Sequence, residues 1–183
     1  MNFTFEIVSA RFGTVSVIAP ERFRDEIEKH SWSLVYCDHR AEGRRLMART
    51  WIPHPDGGLR ACGKRKRRKG LMLHQLVWAL MGNASAKLLD HADGQPLNNA
   101  EDNLRAATPK TNSWNRRITT RNTSGAIGVD WRKDMRKWRA RIQDSSGRPV
   151  WIEYFDDFAE AVSARDVAAK ELRGVFAVLN VAA

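Results

Sequence analysis

Leu88-Leu89-Asp90-His91-Ala92-Asp93-Gly94-Gln95-Pro96-Leu97-Asn98-Asn99-Ala100-Glu101-Asp102-Asn103-Leu104-Arg105 runs on through Thr108-Pro109-Lys110-Thr111-Asn112. An apolar pair ends in adjacent Asp and His, a turn-forming stretch follows, and a second short strand carries Leu104. Thr108 is placed to cap a helix and Pro109 to open it, because the first helical position needs no backbone donor. A hairpin followed by a helix is predicted, with Asn112 and Arg116 on one helical face. Successive strand residues point to opposite faces, so bringing Asp90 and His91 to one point calls for a bulge or distortion. Carboxylate and carboxamide oxygens suit Mg²⁺ or Mn²⁺, and an imidazole can take a proton from water. Together these are the parts of metal-assisted phosphodiester hydrolysis.

On those residues, the stretch from about Leu73 to Arg117 resembles an HNH endonuclease of the phage and homing type. The pattern is Asp-His, then Asn in the second strand, then Asn on the helix, here Asp90, His91, Asn103 and Asn112. The resemblance implies a ββα-metal (His-Me finger) centre acting on double-stranded DNA. It makes His91 the general base, Asp90 and Asn112 the holders of one divalent metal ion, and Asn103 the residue that orients the His91 loop. Taken alone, Asp93-Gly94 and Asn98-Asn99 are ordinary turn residues that need no chemistry to explain them.

The 183 residues carry 31 Lys and Arg against 21 Asp and Glu, a formal charge of +10. Such a balance favours a polyanionic partner, since each phosphate contact releases counterions. No apolar run approaches the roughly 20 residues that span a bilayer, and the N-terminus lacks a charged start followed by an apolar signal core. The expectation is a soluble intracellular protein without a membrane partner, in the cytoplasm of a bacterial host if phage-encoded. Cys37 and Cys62, with His39, His54 and His74 nearby in sequence, fit no standard zinc spacing and read as reduced, partly buried thiols.

Residues 1–70 read as a small mixed segment. Phe3, Phe5 and Ile7 alternate, as do Val15 and Val17, and a short amphipathic helix follows Pro20 with Phe23 and Ile27 four apart. Strands are predicted at 31–36 and 45–52, with a third after Gly57-Gly58. Six consecutive bases, Lys64, Arg65, Lys66, Arg67, Arg68 and Lys69, form either a solubilising loop or a clamp on the DNA backbone, and their place before the nuclease stretch favours the clamp. Leu71 to Met81 reads as a helix with Leu73, Leu76, Val77 and Leu80 at core spacing. His74 on that helix is a packed histidine or a support behind the catalytic residues. Arg105, Lys110, Arg116, Arg117 and Arg121 occur without an acid among them and suit phosphate contact, while Trp114 is expected to pack the helix on the hairpin.

Asn122-Thr123-Ser124-Gly125 marks a boundary. Beyond it lie three alternating runs, Ile127 to Arg132, Trp138 to Gln143 and Val150 to Phe155, then a capping box at Asp157-Phe158-Ala159-Glu160 and an Ala-rich helix ending before Gly174. In the middle strand Trp138, Ala140 and Ile142 point one way, Arg139, Arg141 and Gln143 the other. Packing the helix on the apolar side leaves a flat basic face bearing Arg132, Arg139 and Arg141, with Trp151 as its aromatic. Residues 122 to 180 resemble the ethylene-response-factor (Apetala-type) DNA-binding domain, through Ser124-Gly125-Ala126-Ile127-Gly128-Val129, Lys137-Trp138-Arg139-Ala140, Phe155-Asp156 and Leu179-Asn180. That resemblance implies a bare sheet face reading the major groove; Glu153 and Asp130 depart from the plant pattern.

The sequence thus predicts an α+β chain of three parts. These are an N-terminal α+β segment with a basic loop (1–70), an HNH nuclease domain (71–121), and a three-stranded antiparallel sheet packed on one helix (122–183). The function expected is that of a metal-dependent DNA endonuclease, phage or homing-like. The alternative is a DNA-binding transcriptional regulator without activity. No protein partner is implied; a monomer would cut one strand and a homodimer both.

Overall fold

The computed structural model describes residues 1–36, 45–54, 68–84, 86–112, 114 and 122–180. The chain is α+β, built from small antiparallel sheets and few helices. It divides into two compact units, Met1–Ala106 and Ala107–Ala183. Among the described residues no helix is long and apolar enough to cross a membrane.

In the first unit β1 (Asn2–Ser9) and β2 (Gly13–Pro20) form a hairpin. The alternation of Phe3, Ile7, Val17 and Ala19 is what buries one of its faces. A 3₁₀ turn at Glu21–Phe23 and the short α1 (Arg24–Glu28) follow. β3 (Ser33–Tyr36), β4 (Leu46–Pro53) and β5 (Arg68–Met72) make an antiparallel sheet in that order. α2 (Leu73–Leu80) starts two residues later than the apolar spacing suggests, because Leu71 and Met72 are taken into the ladder opposite Thr50 and Arg49. Arg68 and Lys69, at the end of the basic run, therefore lie on a strand; Lys64 to Arg67, Cys37 and Cys62 fall outside the described residues.

β6 (Leu89–His91) and β7 (Leu104–Ala106) close the unit. Residues 1–70 and the Asp-His hairpin share one core, in which Phe3, Val17, Ile27 and Leu34 meet Leu73, Val77 and Leu104. Backbone bonds fasten the two together. Ile18 donates to the Leu97 carbonyl and Asn99 donates to the Ile18 carbonyl, each at 2.9 Å. The expected boundary at residue 70 is thus bridged by packing.

The second unit opens with α3 (Pro109–Asn112), where Thr108 and Thr111 cap each other: the Thr111 amide donates to Thr108 Oγ1 and the Thr108 amide to Thr111 Oγ1. β8 (Val129–Arg132), β9 (Lys137–Gln143) and β10 (Pro149–Phe155) form an antiparallel sheet with β9 central. α4 (Phe158–Arg173) covers one face, its N-terminus capped by Asp157, which accepts from the Glu160 amide at 2.9 Å. Ala126, Val129, Ala140, Ala161 and Val162 form the contact, with Ile142, Ala168 and Ala169 beside it. Ala at these helix positions lets the backbone approach the sheet closely.

Gly128 leads into β8 at φ +73°, and a Cβ there would sit 2.5 Å from the Arg141 carbonyl oxygen. Gly128→Ala is expected to cost about 2 kcal/mol from backbone strain and crowding together. A urea melt showing wild-type stability would contradict the close approach.

Candidate functional site

β6 and β7 pair without a register shift, placing Leu89 opposite Ala106, Asp90 opposite Arg105 and His91 opposite Leu104. The bulge expected at Asp90-His91 is therefore corrected. The two side chains leave opposite faces of a regular ladder, and both are buried, at 7% and 6% exposure. Residues directly opposite share a face, so the Asp90 carboxylate meets the Arg105 guanidinium. Oδ2 of Asp90 accepts from Arg105 Nε at 3.0 Å and Nη2 at 2.7 Å. Arg105, read from sequence as a phosphate contact, is instead the partner of this carboxylate.

His91 packs on His74 of α2, ring centroids 5.4 Å apart and nearly perpendicular. Burial holds His74 neutral with its pKa lowered to about 4, helped by the nearby His91. Burial also lowers His91, against the opposing pull of an Asn99 hydrogen bond and of the charges on Asp93 and Asp90.

The loop between the strands is knitted by residues that looked like mere turn formers. Asn103 ends a 3₁₀ turn (Glu101–Asn103) ahead of β7. Its Oδ1 accepts from the Asp93 amide at 2.9 Å, and its Nδ2 donates to Asp93 Oδ1 and to the Asn98 carbonyl at 2.7 Å. The Asp93 carboxylate also accepts from the Gln95 amide and from Asn98 Nδ2. Gly94 takes φ +67°, and its carbonyl accepts from Arg45 Nη1 at 2.7 Å. Asn99, only 1% exposed, donates to the Leu97 carbonyl. The sequence carried no signal for the pairing of Arg105 with Asp90, of Arg45 with Gly94 or of Asn99 with the Ile18 carbonyl, since each partner lies far along the chain.

Of the expected metal ligands, Asp90 belongs to the first unit and Asn112, an exposed residue, to the second. Asp90 Oδ2 already faces a guanidinium, and a divalent ion there would meet that positive charge. No group of three or more His, Cys, Asp or Glu side chains suited to a metal comes together among the described residues. The arrangement fits a carboxylate–guanidinium pair better than a cation site.

In the second unit the sheet face opposite α4 carries Asp130 and Arg132 on β8, Lys137, Arg139 and Arg141 on β9, and Ile152 and Tyr154 on β10. Arg139 Nη2 donates to both oxygens of Asp130, at 3.1 and 2.9 Å, and Arg141 Nε lies 3.4 Å from the same carboxylate. Arg132 pairs with Asp134, whose pKa the guanidinium draws down to about 2. Trp151 does not lie on this face. The register shifts between Pro149 and Trp151, so Trp151 sits opposite Ile142 and packs with the core beneath α4. Tyr154, opposite Arg139 and 38% exposed, is the aromatic of the bare face. Trp114, expected on the hairpin, has Lys110 and Arg173 over its ring at 5.7 and 5.4 Å. Arg116 and Arg117 lie outside the described residues.

Fold and site together define a basic α+β chain with a buried Asp-His hairpin in one unit and a cationic sheet face in the other. The chain belongs to the family of Protein 3.8 of Escherichia phage T7, with which it is 38% identical over 106 residues, 57% of this chain and 86% of the relative. No protein-family model and no solved structure matches it. The relative is a phage protein whose name assigns no nuclease activity. With Asp90 bound to Arg105, this corrects the expectation of a metal-dependent DNA endonuclease.

Proposed function

We propose that the chain is a double-stranded-DNA-binding protein that meets the duplex with the sheet face opposite α4, as the resemblance to ethylene-response-factor domains implies. One observation carries this reading: Arg132, Lys137, Arg139 and Arg141 lie side by side on adjacent strands, beside exposed Ile152 and Tyr154, on the face that α4 leaves uncovered among the described residues. A two- or three-stranded ribbon fits the major groove, and arginines on it reach base edges or phosphates. Asp130 holds Arg139 and Arg141 extended in the free protein and yields them to phosphate oxygens on binding. The six consecutive bases Lys64 to Lys69 add further contacts to the DNA backbone in this reading.

The test is binding to labelled duplex across a salt series. Arg139→Ala/Arg141→Ala is expected to bind roughly tenfold more weakly and to flatten the slope of log K against log salt by about 2. Asp130→Asn is expected to bind more tightly. Unchanged affinity and slope in the double variant would remove this face from the interface. Supercoiled plasmid with Mg²⁺, against a chelator control, reads retention and strand scission together. Retention without nicks supports a binder, whereas nicking abolished by His91→Ala would overturn it in favour of a hydrolase.

A further inference from the structure

We propose that a cleft in the C-terminal unit, between α4 and the end of β9, is a binding site for a phosphate group. The cleft has a volume of about 280 Å³ and is lined by Trp114, Gly128, Arg141, Asp144, Arg165 and Arg173, among others. It is roomy enough for a phosphate group with its bridging atoms.

Arg165 is the feature that calls for a ligand. It is 2% exposed, a rare depth for a guanidinium. Nη1 donates to Asp166 Oδ1 at 2.9 Å and to the Val178 carbonyl, but the buried Nε has no hydrogen-bond partner. Asp166 is shared: it also accepts from the Asn180 amide and from Asn180 Nδ2. A buried donor left unmade costs on the order of 1–3 kcal/mol, and more on a charged group, so an acceptor in the cleft is strongly favoured. Gly128 leaves room beside that donor, since a Cβ there would lie 3.2 Å from Arg165 Nε.

Arg173 supplies the second guanidinium. Its Nη2 donates to the Gln143 carbonyl at 2.8 Å, and its Cζ lies over the Trp114 ring, 5.4 Å from the centroid. Burial and the charge of Arg165 lower its pKa, so the two cations crowd each other until an anion sits between them. The acid on the lining, Asp144, is turned to its own loop, accepting from the Ser146 amide and hydroxyl and from the Arg148 amide. Two guanidiniums at one cleft suit a multi-oxygen, tetrahedral dianion or a phosphodiester better than a carboxylate.

The full chain is titrated with inorganic phosphate at constant ionic strength by calorimetry, following the Trp114 indole N–H by NMR. Saturable binding that shifts this signal is expected, weakened about tenfold in Arg173→Gln and unaltered in Arg132→Ala/Arg139→Ala, whose two arginines do not line the cleft. The last comparison separates this site from the DNA-binding face, so either can fail alone. Arg173 is half-exposed, and its replacement leaves the fold measurable by circular dichroism. Arms with a 5′-mononucleotide and with duplex DNA identify the source. A duplex affinity lowered by Arg173→Gln assigns a backbone phosphate, and an effect confined to the small ligands assigns a free phosphate. Absence of saturable phosphate binding, or equal affinity in Arg173→Gln, would show that water alone fills the cleft and overturn the proposal.

Discussion

Asp90→Ala is expected to destabilise the first unit by about 3 kcal/mol at neutral pH, measured by urea unfolding. Asp90 is nearly inaccessible, and its partner Arg105 has a side chain only 18% exposed. Removing the carboxylate takes two hydrogen bonds from a guanidinium in a place where water reaches it poorly. Breaking such a pair from one side costs about 3–5 kcal/mol, and the residual exposure of Arg105 puts this case at the low end. Because the penalty is mostly that of a buried charge deprived of this ion pair, Asp90→Ala/Arg105→Leu is expected to recover most of the loss. If Asp90→Ala melts with the wild type, the pair is not the structural element that its geometry indicates. If the double variant is no better than the single, the cost comes from the hairpin's packing instead.

The pairing of Asp90 with Arg105 also shows where reading the residues reached and where it stopped. Strand positions 137 to 143 were legible because one face is buried and one is not, so the alternation of Trp138, Ala140 and Ile142 with Arg139 and Arg141 has a single solution. Asp157 and Gly174 were legible for the same kind of local reason: one caps α4, and the other stands at its end with φ +53°. Trp151 was misplaced by one residue of register. Counting back from the turn without the shift at Pro149 puts Trp151 opposite Arg141, and the extra residue moves it to the helix side. The Asp-His motif was visible, but its surroundings were not. Arg105 lies fifteen positions from Asp90 and His74 seventeen from His91, and the partners depend on a register and a helix face that the motif itself does not encode. A pattern of acid, imidazole and amide specifies which donors exist, whereas packing decides whether they face a ligand or one another.

The buried histidine pair gives that distinction a measurable consequence. His74 has its pKa lowered to about 4 from an ordinary 6.5, and burial lowers His91 as well. In the unfolded chain both rings titrate near the ordinary value. Between about pH 6.5 and 4, then, the unfolded state binds protons that the folded state refuses, and stability falls as pH falls across that window. For His74 the drop from 6.5 to about 4 corresponds to roughly 3 kcal/mol, reached only near the acid end. His91 adds to the loss in the same direction, although Asp90, Asp93 and Asn99 favour its charged form and Arg45 opposes it. Carboxylates with lowered pKa values, such as Asp134, release their stabilisation only at more acidic pH, so the histidine window stands apart from theirs. Urea midpoints at intervals from pH 7.5 to 4.5 are expected to decline steadily in the wild type. They are expected to decline much less in His74→Leu, which keeps an apolar side chain against His91. A flat profile in the wild type, or an equal slope in the variant, would mean that His74 takes its proton without leaving the core and that the two rings are not held apart from water as their geometry implies.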